Sequence, residues 1–134
     1  EAILLMGVHE NLITPRNGEP LVAASQDFLS AAYLLTQRDQ FFNHRDFCRL
    51  ISYFGDAEEQ VDVPQPAIIK PVPLWTGKQI FTAMIRSTVD CKVLVSFEMK
   101  EKNYSTDKHF CRNDGWVAFS NSELLSGNIA KKTI

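Results

Sequence analysis

A chain of 134 residues, 45% hydrophobic and 22% charged, has the composition of one globular domain and leaves little room for two. Its net charge of −2 excludes nucleic-acid binding by global electrostatic attraction, so any basic site has to be local. Three scattered cysteines, Cys48, Cys91 and Cys111, argue against a disulfide framework and for a reducing compartment, while no signal peptide is evident and no apolar run approaches the ~18–20 residues that cross a bilayer.

In chain order, "EAILLMG" reads as the last turns of a helix already under way, with Gly7 where a C-cap would stand. The far end, "AKKTI", carries no stop signal, so a segment of a longer polypeptide is expected. Residues 8–20 read as loop and short extended pieces closed by Pro15 and Pro20. "LVAA" (21–24) predicts a short strand or a buried passage. Ser25 is the expected N-cap of a helix running to Leu35, with Asp27 near its positive end. Phe28, Leu29, Ala31, Ala32, Tyr33, Leu34 and Leu35 make that helix apolar nearly all round, which predicts burial on most faces.

A second helix is expected from about His44 to Phe54, capped by Asn43 with Asp46 three residues on, and ended by Gly55. Phe47, Leu50, Ile51 and Phe54 fall at i, i+3, i+4 and i+7 and form one apolar face. "DAEEQVD" (56–62) then reads as a solvated loop. The four prolines of "VPQPAIIKPVPLW" (63–75) exclude helix and central strand. They imply a stiff extended segment pinned by Ile68, Ile69, Leu74 and Trp75. Thr76 and Gln79 make a capping-box pair, opening a helix of about three turns in "GKQIFTAMI". "KVLVSFEM" (92–99) has strand composition, residues 100–115 are charged and turn-rich, and "WVAF" and "ELLSGNIA" flank Ser120-Asn121-Ser122 as a β-hairpin. With no internal repeat or low-complexity stretch, the sum is a single α+β domain over residues 1–134. It has short N-terminal helices, a Pro-rich extended segment and a small C-terminal antiparallel β element.

Few motifs carry chemistry. "TGKQ" (76–79) invites a phosphate-loop reading, but the glycine required five residues before the Gly-Lys pair is replaced by Val72. What survives is Lys78 in the first turn of a capped helix, able to face an anion; the plain alternative is an exposed first-turn lysine. His44 and Cys48 lie at i, i+4, and His109 and Cys111 two apart, without a Cys-x-x-Cys pair or a completing carboxylate, so no metal site is assigned. A Gly-x-Ser-x-Gly elbow is absent, Ser25-Gln26-Asp27 looks like a helix cap, and Glu58 and Glu59 lack apolar surroundings to raise a carboxyl pKa. No catalytic set is therefore assigned. "PRNGEP" (15–20) differs. Asn17-Gly18 is a strong turn signal, the flanking prolines stiffen it, and Arg16 becomes a positioned guanidinium. The alternative is a rigid surface turn with a solvated arginine.

"TPRNGEPLVAASQDFLSAAYLLTQRD" followed by "PQPAIIKPVPLWTGKQIF" resembles the largest subunit of the multisubunit DNA-dependent RNA polymerases. Leu-Trp-Thr-Gly-Lys-Gln after the Pro-rich stretch resembles the eukaryotic nuclear form, and "AAYLLTQRDQFF" looks most like the polymerase III version. The likeness covers residues 1–86 closely and 116–134 more loosely; "EMKEKNYSTDKHFCRNDG" (98–115) matches poorly, and no role carries onto it. The resemblance implies a fragment of a much larger chain, placed directly after the aspartate loop that holds the catalytic Mg²⁺, and matching the pore region that lines the secondary channel beneath the active site. The parent would be a nuclear nucleotidyltransferase working with other polymerase subunits, DNA template, RNA and nucleoside triphosphates, with no membrane partner. Under that reading the fragment alone is inactive and has no metal ligand or cofactor of its own. Arg16, Asn17, Gln26, Asp27, Lys78 and Gln79 are its channel- or substrate-facing candidates. The competing expectation is an interaction module that docks other polymerase subunits without touching nucleotide or nucleic acid.

Overall fold

The computed structural model describes residues 1–54, 60–88, 90–92, 94–102 and 115–134. Among the described residues four helices precede or separate two small antiparallel sheets: α1 (Ala2–Met6), a 3-10 turn (Val8–Asn11), α2 (Asp27–Leu35), β1 (Phe41–Phe42), α3 (His44–Ile51), β2 (Trp75–Thr76), α4 (Gly77–Ile85), β3 (Phe97–Lys100), β4 (Trp116–Ser120) and β5 (Glu123–Ser126). This is the α+β architecture expected from the sequence.

The elements written by local chemistry form as read. Asn43 accepts the Asp46 N–H at 2.8 Å through Oδ1 and caps α3. Thr76 and Gln79 complete the capping box of α4. β4 and β5 form a hairpin across Asn121 and Ser122, whose positive φ values of 51° and 65° match the two-residue turn that follows strand twist. Ile68 and Leu74 pair across the tip of the Pro-rich segment, and the Trp75 indole N–H donates to the Pro64 carbonyl at 2.8 Å. Ile69, however, is 70% exposed and pins nothing.

Two apolar clusters meet at α4. Phe47, Ile51, Trp75, Ile80 and Ala83 form one, with Leu35, Leu50 and Phe54 packed on it. Phe81, Val117, Phe119, Leu124 and Ile129 form the other, between α4 and the three-stranded sheet β3-β4-β5. Ile80 and Phe81, adjacent in sequence, point into different clusters because successive helical positions lie about 100° apart.

Other expectations need correction. Ser25 does not cap α2: Gln26 occupies that place at φ 52°, ψ −121° without a side-chain cap. Ser25 instead accepts the Phe28 N–H at 3.2 Å through its carbonyl, closing a tight turn. α2 is not buried on most faces, since it holds no buried residue and Phe28 is 75% exposed. "LVAA" is neither strand nor buried passage, with Leu21 and Val22 both exposed. The strand expected from residue 92 starts at Phe97, because Val95 bonds the hairpin turn instead: its carbonyl accepts the Ser122 N–H at 2.7 Å and its N–H donates to Ser122 Oγ at 3.0 Å. Helix α3 also stops at Ile51, although Phe54 still packs on its cluster. Gly55 and most of the loops expected over 56–62 and 100–115 lie outside the described residues.

Candidate functional site

The Pro-flanked turn is closed from within. The Thr14 N–H donates to the Glu19 carbonyl at 2.9 Å, the Gly18 N–H to the Thr14 carbonyl at 3.0 Å, and the Leu21 N–H to the Leu12 carbonyl at 2.8 Å. Ile13 and Pro20 form a bridge beneath it. Asn17 Oδ1 accepts the Glu19 N–H at 3.3 Å, and Gly18 alone takes the left-handed conformation, at φ 71°. Arg16 stands exposed on the tip. The turn is thus closed by its own hydrogen bonds, one of them accepted by Asn17.

Gln26 and Asp27 are exposed at the start of α2. Gln26 holds a backbone conformation that glycine favours, a strain costing about 1–3 kcal/mol that the surroundings have to sustain.

Lys78 and Gln79 sit elsewhere. The Lys78 ammonium donates to the Thr36 carbonyl at 2.7 Å, on the C-terminal end of α2. Gln79 accepts the Thr76 N–H at 3.0 Å through Oε1 and donates to the Gln65 carbonyl at 2.8 Å through Nε2, so its amide clasps the Pro-rich segment to α4. Asp27 and Thr36 mark opposite ends of α2, about 13 Å apart at helical rise. The candidates thus fall into separate places rather than one cluster.

A joint lies where α2 ends and α4 begins. A Cβ on Gly77 would stand 1.7 Å from the Leu35 carbonyl oxygen, so only glycine permits this approach. Thr36 beside it is 0% exposed. Its hydroxyl donates to the Ala32 carbonyl at 2.7 Å and accepts the Ile129 N–H at 2.9 Å. Around this joint Gln37, Arg38, Thr76, Lys78, Ser126 and Gly127 line a cleft of about 200 Å³. Arg38 was not singled out by sequence: nothing around it signals a site, and its place depends on β5 arriving from far along the chain. A larger cleft of about 520 Å³ separates the Pro-rich segment from α4 and β5, bordered by Asp62, Pro64, Thr82, Arg86, Glu123 and Leu125.

His44 and Cys48 do meet, at 3.6 Å from Sγ to Nε2 and 3.9 Å to Nδ1. Near-equal distances to both nitrogens place the sulfur over the ring rather than in line with one N–H, a packing contact and not a proton-transfer pair. Among the described residues no group of three or more His, Cys, Asp or Glu side chains is placed to hold a metal ion.

Residues 11–134 match the family described as RNA polymerase Rpb1, domain 3. Aligned over the whole of this chain, the DNA-directed RNA polymerase III subunit RPC1 is 54% identical in Dictyostelium discoideum over 9% of that protein. The polymerase III subunits RPC1 of Homo sapiens and Saccharomyces cerevisiae are 47% and 39% identical, each over 10% of its length. The chain therefore spans about a tenth of these relatives. The Pro-flanked turn, α2 and the Pro-rich approach to α4, which suggested the family, all lie in the matched region, and the chain belongs to the family of RNA polymerase Rpb1, domain 3.

Proposed function

We propose that this chain works as part of a nuclear DNA-directed RNA polymerase III, where it lines the pore, or secondary channel, beneath the active site. Nucleoside triphosphates would pass it inward, and the 3′ end of backtracked RNA outward. The parent enzyme's Mg²⁺ would be held by residues outside this sequence, and other polymerase subunits would be neighbours of this chain; among the described residues no group of three or more His, Cys, Asp or Glu side chains is placed to hold a metal ion, and no catalytic step is assigned to them. The observation that carries the reading is the Arg16 turn. An exposed guanidinium stands on a backbone locked by hydrogen bonds from Thr14, Gly18 and Glu19, so it meets a phosphate without the entropy loss of ordering a loop. Gln26, strained and exposed on another turn, fits the same reading, since backbone strain concentrates where function sustains it.

A crosslinking scan with RNA carrying a photoreactive 3′ end, in the intact polymerase stalled in a backtracked state, tests it. Label on residues 14–27 is expected. Label elsewhere in the polymerase with none on this chain would overturn it.

A second reading has its own support. Ile3, Leu4, Leu5 and Met6 of α1 and Phe28 and Leu34 of α2 are exposed apolar residues, and Lys78 and Gln79 are engaged inside the fold. A module that docks other polymerase segments through these faces would show them protected on assembly and give no RNA label.

A further inference from the structure

The cleft at the α2–α4 joint carries a more specific chemistry than the turn. Its walls come from three elements: Gln37 and Arg38 just beyond α2, Thr76 and Lys78 at the start of α4, and Leu125, Ser126 and Gly127 at the end of β5. Among the described residues of this lining two side chains are cations and none is a carboxylate. The N–H groups at the start of α4 do not make the site. The Gly77 N–H goes to the Gln40 carbonyl at 3.3 Å and the Gln79 N–H to Thr76 Oγ1 at 3.4 Å. The Lys78 ammonium is held in place by its bond to the Thr36 carbonyl, so its charge stands at a fixed position on the wall. Gly127, at φ 86°, lies so close to Trp116 and Val117 that a Cβ there would reach 2.6 Å from the Trp116 carbonyl oxygen, which fixes the third wall.

We infer that this cleft binds an oligophosphate group, as free pyrophosphate or tripolyphosphate or as the phosphate end of a nucleotide. Arg38 matches such a group by its planar fork, which grips two oxygens at once, and Lys78 adds a point charge. The hydroxyls of Thr76 and Ser126 and the Gln37 amide supply neutral polar edges in the same lining. Size sets the limit. Pockets that enclose whole drug-sized molecules run to roughly 300–1,000 Å³, and about 200 Å³ admits a phosphate end while leaving a base and ribose outside. The inference rests on the polymerase reading for the assembly in which it acts, and not on the Arg16 turn.

The test is hydrogen–deuterium exchange on the intact polymerase, in EDTA to suppress metal-dependent binding, titrated with inorganic tripolyphosphate. Saturable protection of peptides covering residues 36–40 and 125–129 is expected, and a ribonucleoside triphosphate should protect the same peptides. Arg38→Gln should weaken the half-saturating concentration about tenfold or more. Arg38 is exposed, so this variant should assemble even if Lys78→Gln, at the joint, does not; Lys78→Arg should retain binding. No protection at these peptides, or equal protection in Arg38→Gln, would overturn the inference. So would protection by a single-stranded oligoribonucleotide but not by tripolyphosphate. Protection here without RNA label on residues 14–27 would retain the cleft and discard the channel turn, so the two readings fail separately.

Discussion

Replacing Thr36 by valine removes one hydroxyl and keeps the shape. In the wild type that hydroxyl donates to Ala32 and accepts from Ile129. The Ala32 carbonyl loses little, since it also accepts the Thr36 N–H at 3.1 Å. The Ile129 N–H loses its partner, and both Thr36 and Ile129 are 0% exposed, so water does not replace it. A buried donor left unpaired costs about 1–3 kcal/mol. The added methyl returns somewhat under 1 kcal/mol, for a net destabilisation of about 1–2 kcal/mol. Urea unfolding of the 134-residue chain, followed through the buried Trp75, measures this directly. With an m-value of roughly 1–3 kcal/mol/M, the midpoint should fall by about 0.3–2 M. Thr36→Ser keeps the hydroxyl and loses one methyl, about 0.8 kcal/mol. Hydrogen exchange adds a local reading, since the Ile129 amide should exchange faster in Thr36→Val than in Thr36→Ser. A Thr36→Val chain as stable as wild type, or with unchanged Ile129 exchange, would refute the role given to this hydroxyl.

Gly77→Ala forces a Cβ against the Leu35 carbonyl and should cost about 3 kcal/mol or more, whereas Gly18→Ala meets no atom within 4 Å and should cost only about 1 kcal/mol from its φ of 71°; similar urea midpoints for the two would contradict the joint. Gln26→Gly should stabilise the chain by about 1 kcal/mol, the strain relieved less the entropy of glycine, and a loss of stability would show that the Gln26 side chain holds the turn. The exposed apolar residues of α1 and α2 should make the isolated chain self-associate and bind a hydrophobic dye, which sedimentation at rising concentration would contradict if the chain stayed monomeric. Arg16→Ala in the intact polymerase should remove a charge-assisted contact of about 1.5–3 kcal/mol, slowing elongation or backtracked-RNA cleavage about tenfold or more; unchanged kinetics of both would make Arg16 a solvated surface residue.

What the sequence disclosed depended on how far apart the partners lie. The Asn43 cap and the Thr76–Gln79 box close over three residues, and the α3 face repeats within two turns, so each is visible in a short window. The bond from Lys78 to Thr36 spans 42 residues and that from Ile129 to Thr36 spans 93; neither leaves a local trace. Nothing within a turn of Thr36 marks it as a joint, and nothing beside Arg38 marks a cleft. The error over α2 has a different origin. Its composition records how much apolar surface there is to cover, while its exposure depends on what stands opposite, and no described element of this chain covers Phe28 or Leu34. The displaced β3 start shows a third limit. Val95 has strand chemistry, but the positive-φ hairpin turn offered its backbone a better partner than the next strand did.

The Gly-Lys pair that imitates a phosphate loop is explained by this joint. A lysine in the first turn of a helix is opposed by that helix's own dipole, which places roughly half a positive charge there. Here the C-terminal end of α2, carrying roughly half a negative charge, is brought against the start of α4, and Gly77 is what allows the two ends to approach. Lys78 therefore answers the dipole of a neighbouring helix, and its bond to the Thr36 carbonyl is the contact that does so. The two residues act as a unit, one by having no side chain and the other by having a long charged one. This alters how a defect at Lys78 has to be read. Loss of its ammonium loosens α2 against α4 and disturbs both apolar clusters, which share α4, before any ligand is involved. A kinetic defect in Lys78→Ala that Lys78→Arg repairs, with urea midpoints equal in both, points to the cleft; one that follows the urea midpoint points to the joint. Arg16, on a turn that packs into neither cluster, carries no such ambiguity, and it is the cleaner probe of the channel.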